Sequence, residues 1–181
     1  MKRAIVAPPT LSPAALAELK AWLGVTTTRD DTELSALLNT ALELCEGFTG
    51  SVPLQCTCEE TIDAQGCWLP LAARPVLAIT SVETLGLTGT RVALAASDYE
   101  IELAADGSGK VRLLRNDVTG RIVVRFSAGL APTWADLPAS LRQGMIRLAA
   151  FQHRVRDDAK AETMPAAVAA LWRPWRRMRL A

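Results

Sequence analysis

The sequence predicts an α+β fold: an N-terminal helix pair and a third long helix packed with an antiparallel β-sheet, plus a separable C-terminal helical tail. Three observations carry this. Before position 50, apolar residues recur at helical spacing. From Val52 to Gly129, short alternating runs are punctuated by Gly, Pro and Asp. From Leu137 onward the helical spacing returns, and it is interrupted once, by a polar stretch from Asp157 to Thr163.

Ser12 followed by Pro13 opens the first helix, 12–23. Leu16, Leu19, Trp22 and Leu23 share one face, and Gly24 ends the run. Asp30 and Glu33 stand at capping-box spacing before the second helix, 31–49. Its stripe is Leu34, Leu37, Leu38, Ala41, Cys45 and Phe48, and Gly50 closes it. The joining segment is short, so the two helices are expected to pack on each other or on one sheet. Strands are expected at 55–63, 67–71, 76–85, 91–94, 98–103, 110–115 and 121–127. One hairpin can be read closely. Tyr99, Ile101 and Leu103 face one way and Glu100 and Glu102 the other. After the turn Asp106-Gly107-Ser108-Gly109, Lys110 and Arg112 lie opposite those acids. The resulting sheet has one apolar face, which the helices are expected to cover. A third helix, 137–157, carries Leu141, Met145, Leu148, Ala149 and Gln152 at helical spacing. The domain expectation is a body of residues 1–157, with its β-region at 52–129, and a linker and tail at 158–181.

With 181 residues and half of them apolar, the chain can bury a proper core. Its charge is uneven. Residues 1–141 hold 11 Lys and Arg against 16 Asp and Glu, a balance of −5; residues 142–181 hold 9 against 3, a balance of +6. A basic end on an acidic body suits an anionic partner, or head-to-tail contact between copies. Cys56-x-Cys58 lacks the spacing of a zinc knuckle, and neighbouring strand positions point to opposite faces. No second Cys pair or His cluster completes a metal site, so free thiols in a reducing cytoplasm are expected. The N-terminal residues stop being apolar too early for a signal peptide, and no run reaches the ~20 apolar residues of a membrane span.

No catalytic constellation survives inspection, and no cofactor is implied. Gly107-Ser108-Gly109-Lys110 looks like a phosphate loop, but Ala104 stands where the first Gly belongs and Val111 where Ser or Thr belongs. His153 is the only histidine, and no nucleophile elbow accompanies it. The pairs Asp30-Asp31, Glu59-Glu60 and Asp157-Asp158 read as caps, strand edge and linker.

The last seventeen residues, Pro165 to Ala181, are the most informative segment. A short apolar helix breaks at Pro174, and two Trp and four Arg flank the break with no acid among them. These residue types dominate binding hot spots. Val168, Leu171, Trp172, Pro174, Trp175, Arg176, Arg177 and Arg179 are therefore the candidate docking residues. The bland alternative folds the segment back on its own core. If docking holds, deleting residues 163–181 is expected to lower the melting temperature by only a few degrees.

Taken in order, five blocks resemble the head–tail connector (adaptor, or head-completion) proteins of long-tailed phages and gene transfer agents. They are Leu19-Lys20-x-Trp22-Leu23 with Asp30-Asp31-x-Glu33-Leu34 and Glu46-x-x-Thr49-Gly50; Arg74-Pro75-Val76; Asp98-Tyr99-Glu100 with Val124-x-Phe126-x-Ala128-Gly129; Leu137-Pro138 through Arg154; and Pro165-x-x-Val168-x-x-Leu171-Trp172-x-Pro174-Trp175-Arg176. The family usually has Leu-Leu-x-Pro-Tyr-Arg in the last block, so Trp172 and Trp175 are departures of similar character. The resemblance implies a structural ring, commonly of twelve copies, beneath the portal protein at the head–tail interface of a particle assembled in the bacterial cytoplasm. It implies contact with neighbouring copies and with a further connector or tail terminator. It implies double-stranded DNA passing through the lumen without specific binding, which an acidic wall would suit, and no membrane. It also implies a C-terminal tail that inserts into the portal. The alternative is a small nucleic-acid-binding module using the basic tail; four arginines would bind weakly and with steep salt dependence. No long apolar seam is left once the helices cover the sheet, so isolated copies are expected to be monomeric or weakly associated.

Overall fold

The computed structural model describes residues 2–115, 117–155 and 164–176. The chain is α+β and divides into two compact units, each with its own core. One comprises residues 1–9 and 55–130; the other comprises residues 10–54 and 131–181.

The first unit is all β. Its larger sheet has five antiparallel strands in the order β1 (Lys2–Ala7), β2 (Cys56–Asp63), β8 (Arg121–Ala128), β4 (Val76–Leu85), β5 (Arg91–Ala93). Its smaller sheet has the order β3 (Leu69–Pro70), β7 (Gly109–Leu113), β6 (Tyr99–Leu103). Strict alternation on β2 buries Cys56, Cys58, Glu60 and Ile62 on one face. Val82, Ile122, Val124 and Phe126 are buried with no exposed area. The hairpin forms in the expected register: Glu100 faces Arg112 and Glu102 faces Lys110. Lys110 Nζ donates to Glu102 at 2.9 Å, and Arg112 Nε donates to Glu100 at 3.1 Å while its guanidinium stacks over Trp68.

The small sheet and its turn abut the start of β4: a Cβ at Gly109 would stand 3.0 Å from Val76, and one at Gly107 2.8 Å from Pro75. Three expectations change here. Residues 2–7, assigned no element from sequence, form an edge strand on β2. Glu59-Glu60 is not a strand edge, because β2 runs between β1 and β8. Cys56 and Cys58 do not point apart: positions i and i+2 share a strand face, and their sulfurs lie 3.5 Å apart.

Glu60 is wholly buried, and its use is structural. Its carboxylate accepts the backbone N–H of Ala72 at 2.9 Å and of Ala73 at 3.0 Å. It thereby satisfies two donors that no strand partner reaches, in the loop leading to the cis Arg74–Pro75 bond.

The second unit is helical: α1 (Pro13–Leu23), α2 (Asp31–Thr49), α3 (Ala139–Val155) and α4 (Ala166–Trp172), which runs into a 3₁₀ turn at Arg173–Trp175. Gly24 and Gly50 end α1 and α2 in the left-handed conformation, as their spacing suggested. The Asp30–Glu33 capping box is not closed from its Asp30 side, which makes no side-chain cap bond; Asp31 instead accepts from Lys20 Nζ at 2.6 Å, tying α2 to α1. The third helix starts two residues later than expected, after Leu137 and Pro138; its expected end at 156–157 lies outside the described residues. The core joins Leu19, Leu34, Leu38, Trp134, Leu141, Met145, Leu148, Val168 and Trp172.

Candidate docking surface

The C-terminal segment was singled out for its Trp and Arg content, and its described part, 164–176, packs along α3. The reason lies in one residue of α3. A Cβ at Gly144 would stand 2.1 Å from Trp172 Nε1 and 2.8 Å from Cδ1, so only glycine leaves room for the indole. Trp172 is fully buried there, and its Nε1 donates to the Leu141 carbonyl at 3.3 Å. That carbonyl lies on the same helix, so the indole N–H keeps a partner while the ring replaces water. Phe48 of α2 meets Trp172 at a ring distance of 6.0 Å. Val168, one turn earlier on α4, is also buried.

The exposed side of the segment differs. Leu171 and Trp175 are half-buried, and Trp175 Nε1 donates to Ser140 Oγ at 2.8 Å. Arg173, Pro174 and Arg176 are exposed, and the Arg176 guanidinium lies 5.6 Å over Phe48. Arg177 and Arg179 lie outside the described residues. The structure thus separates the six described candidates into a root and a tip. Val168 and Trp172 are core residues and Leu171 packs against them; Pro174, Trp175 and Arg176 form a basic, aromatic surface. The sequence reading missed Gly144. Its signal was a glycine in the middle of an otherwise strongly helical stretch.

The expected truncation effect changes accordingly. Removing residues 163–181 takes two buried side chains, one of them a Trp, out of the core. Losses of this kind run to about 3–5 kcal/mol for a Trp alone.

The remaining candidates of the sequence lie elsewhere in the fold. Lys110, the basic end of the phosphate-loop look-alike, is tied to Glu102 across the hairpin. His153 sits in the last turn of α3. Asp30 and Asp31 open α2. None of the four cysteines is in a disulfide, and burial pushes the Cys45 thiol up to about 12, with the nearby Glu46 charge adding to the effect. No group of three or more metal-ligating side chains occurs among the described residues, and no helix among them is long and apolar enough to cross a membrane.

No protein-family model matches the chain, and none of the curated proteins is similar to it in sequence. Solved structures are. A chain in the neck of an empty gene transfer agent particle, with C6 symmetry, superposes with a TM-score of 0.80 at 25% identity, covering 100% of this chain and 98% of that one. A chain in the virion of a native gene transfer agent particle gives 0.79 at 25% identity, with coverage of 100% and 98%. A chain in the neck of a native gene transfer agent particle with C12 symmetry gives 0.76 at 26% identity, with coverage of 98% and 97%. The likeness spans both units and agrees with the resemblance to phage head–tail connectors. It points to a structural role and not an enzymatic one.

Proposed function

We propose that the chain is a structural head–tail connector of a phage-like particle. Copies stand as a ring beneath the portal, extend the DNA channel, and offer a surface to the next connector or tail protein. The observation that carries this reading is the whole-chain likeness to neck components, at TM-scores of 0.76–0.80. The C12 symmetry of one such neck supports twelve copies. Within the ring, we assign portal docking to the C-terminal segment. Val168, Leu171 and Trp172 root it in the helical core, while Pro174, Trp175, Arg176, Arg177 and Arg179 supply the contact. Arginine suits that duty because its planar donors pair with carboxylates and carbonyls in two-pronged fashion.

The test uses full-length chain, heads lacking their connector, and a triple Arg176→Ala, Arg177→Ala, Arg179→Ala variant. The wild type is expected to attach to the heads and to complete a neck visible by electron microscopy. The triple variant is expected to keep its melting temperature and to lose attachment. Normal attachment by the variant removes the docking assignment; failure of the wild type to attach removes the connector reading. A salt titration of DNA binding runs beside it, and binding at physiological salt that falls steeply as salt is added and is lost in the triple variant would favour the nucleic-acid module instead.

A further inference from the structure

Two positions in the helical unit are unexplained by the chain's own packing, and they complement each other. The first is Trp22. On α1, Ala15 and Leu19 face inward with no exposed area, while the outer face carries Ala14, Ala17, Ala21 and Trp22, all exposed, with Glu18 among them paired to Arg142. Trp22 keeps 45% of its surface in solvent and stands between two clefts. One, of about 410 Å³, is lined by Glu18, Arg142 and Ile146; the other, of about 190 Å³, by Phe151 and Arg154. The Arg147 guanidinium lies 5.4 Å over the Trp22 ring and has no carboxylate partner among the described residues.

The second is Gly47. It sits inside α2, where glycine weakens a helix relative to alanine. A Cβ there would meet nothing within 4 Å, so no intramolecular contact requires it. Around it on the same exposed face lie Leu44, 37% exposed, and Glu43, which has no ion-pair partner among the described residues. The fold already shows what a helical glycine accommodates: at Gly144 the space a Cβ would take is filled by the Trp172 indole.

We propose that Trp22 of one copy seats on Gly47 of the next, with Arg147 of the first beside Glu43 of the second. This rests on the ring reading above. The occupant is a second copy because each side supplies what the other lacks: an exposed indole and an open glycine, and a cation and an anion that have no ion-pair partner among the described residues. The contact is heterologous, joining two different patches, which is the kind that closes into rings. It is also small, which suits copies that associate only when a template holds them side by side.

The test introduces Ala21→Cys and Leu44→Cys, separately and together, in a Cys67→Ser background, because Cys67 is the exposed thiol. Full-length chains are assembled on connector-less heads and treated with a short bis-maleimide. The double variant is expected to give a ladder of linked multimers, and each single variant none. Adding Trp22→Ala is expected to reduce the ladder at least tenfold with little change in melting temperature. Adding Gly47→Ala is expected to raise the melting temperature while also reducing the ladder, opposite signs that no purely structural role predicts. Dimers from one single variant alone, linkage of position 21 to a different particle protein, or a ladder indifferent to Gly47→Ala would each overturn the contact. Necks that hold the chain but yield no ladder also overturn it and leave the connector reading standing. Chains absent from the heads remove both.

Discussion

The α3–α4 seam and the β6–β7 hairpin are both contacts that bring two segments together, but they rest on different physics. The hairpin is held on its wet face by Glu100, Glu102, Lys110 and Arg112, partly exposed pairs that the strand register places opposite each other. The seam is held by a buried indole in a slot that one missing Cβ creates, between residues 28 positions apart. The hairpin tolerates substitution because water and salt screen its charges. The seam does not, because close-packed interiors leave a displaced ring nowhere to go.

The sharpest way to break the comparison is Gly144→Ala. It drives a methyl group into the Trp172 ring, and a destabilisation of about 3 kcal/mol is expected. In a Trp172→Leu background the same change is expected to cost much less, the signature of two coupled residues. Thermal melts of the four chains measure this, and additive effects would refute the seam.

Next in size is Glu60→Gln. The amide keeps one acceptor oxygen for Ala72 and Ala73 but turns donors toward them with its other end, so a loss of about 2 kcal/mol is expected. Urea denaturation checks it; a neutral result would mean that the loop at 71–75 finds other partners.

Cys45 sharpens the same contrast through pH. Its folded value, near 12, lies above its ordinary 9.0, so the folded state holds the thiol proton longer than the unfolded chain does. The stability it contributes is complete below pH 9 and declines as pH rises from 9 toward 12. Cys45→Ala is therefore expected to lower stability at pH 7 by opening a small cavity, yet to flatten the decline between pH 9 and 11. An unchanged slope would show that other groups set it. In native protein at pH 8, iodoacetamide is expected to label Cys67 and to spare Cys45.

The smallest effect is expected at the hairpin. Glu102→Ala removes a pair whose two side chains are 35% and 42% exposed, and a change below about 1 kcal/mol, shrinking further at high salt, is expected. A larger, salt-independent loss would make the hairpin resemble the seam.

The same contrast explains what was legible in the sequence. Alternation fixes strand faces, so the Glu100–Arg112 and Glu102–Lys110 pairs are legible from the sequence. The helices were legible from their apolar stripes and closing glycines. The two-unit division was not, because nothing local in Pro9-Thr10 or Leu54-Gln55 marks a boundary. β1 was missed because its burial pattern does not alternate: Ile5 and Val6 are both about 45% exposed on an edge strand. At the candidate site, the residue types of the tail were legible but its seat was not. A Trp reads alike whether it awaits a partner or fills a slot, and the slot is recorded at Gly144, outside the tail.

The helical unit is also discontinuous along the chain, with its two halves, 10–54 and 131–181, separated by 76 residues of β-unit. During synthesis α1 and α2 leave the ribosome with Leu34, Leu38 and Ala41 ready for burial, while α3 is still roughly 90 residues from its start. At about 5–20 residues per second, that wait lasts several seconds. The β-unit, whose first strand is made before α1 and whose remaining strands follow in one unbroken stretch, is complete in the chain before α3 is made. On completion its exit strand returns beside its entry, since the Ala131 N–H donates to the Pro53 carbonyl at 3.2 Å. Folding of the middle thus delivers the late helix to the early ones, which wait for it. Chains stalled with residues 1–130 outside the ribosome tunnel are expected to resist protease across 55–130 and to be cut within 10–54; protection of both segments at that length would show that α1 and α2 need no partner.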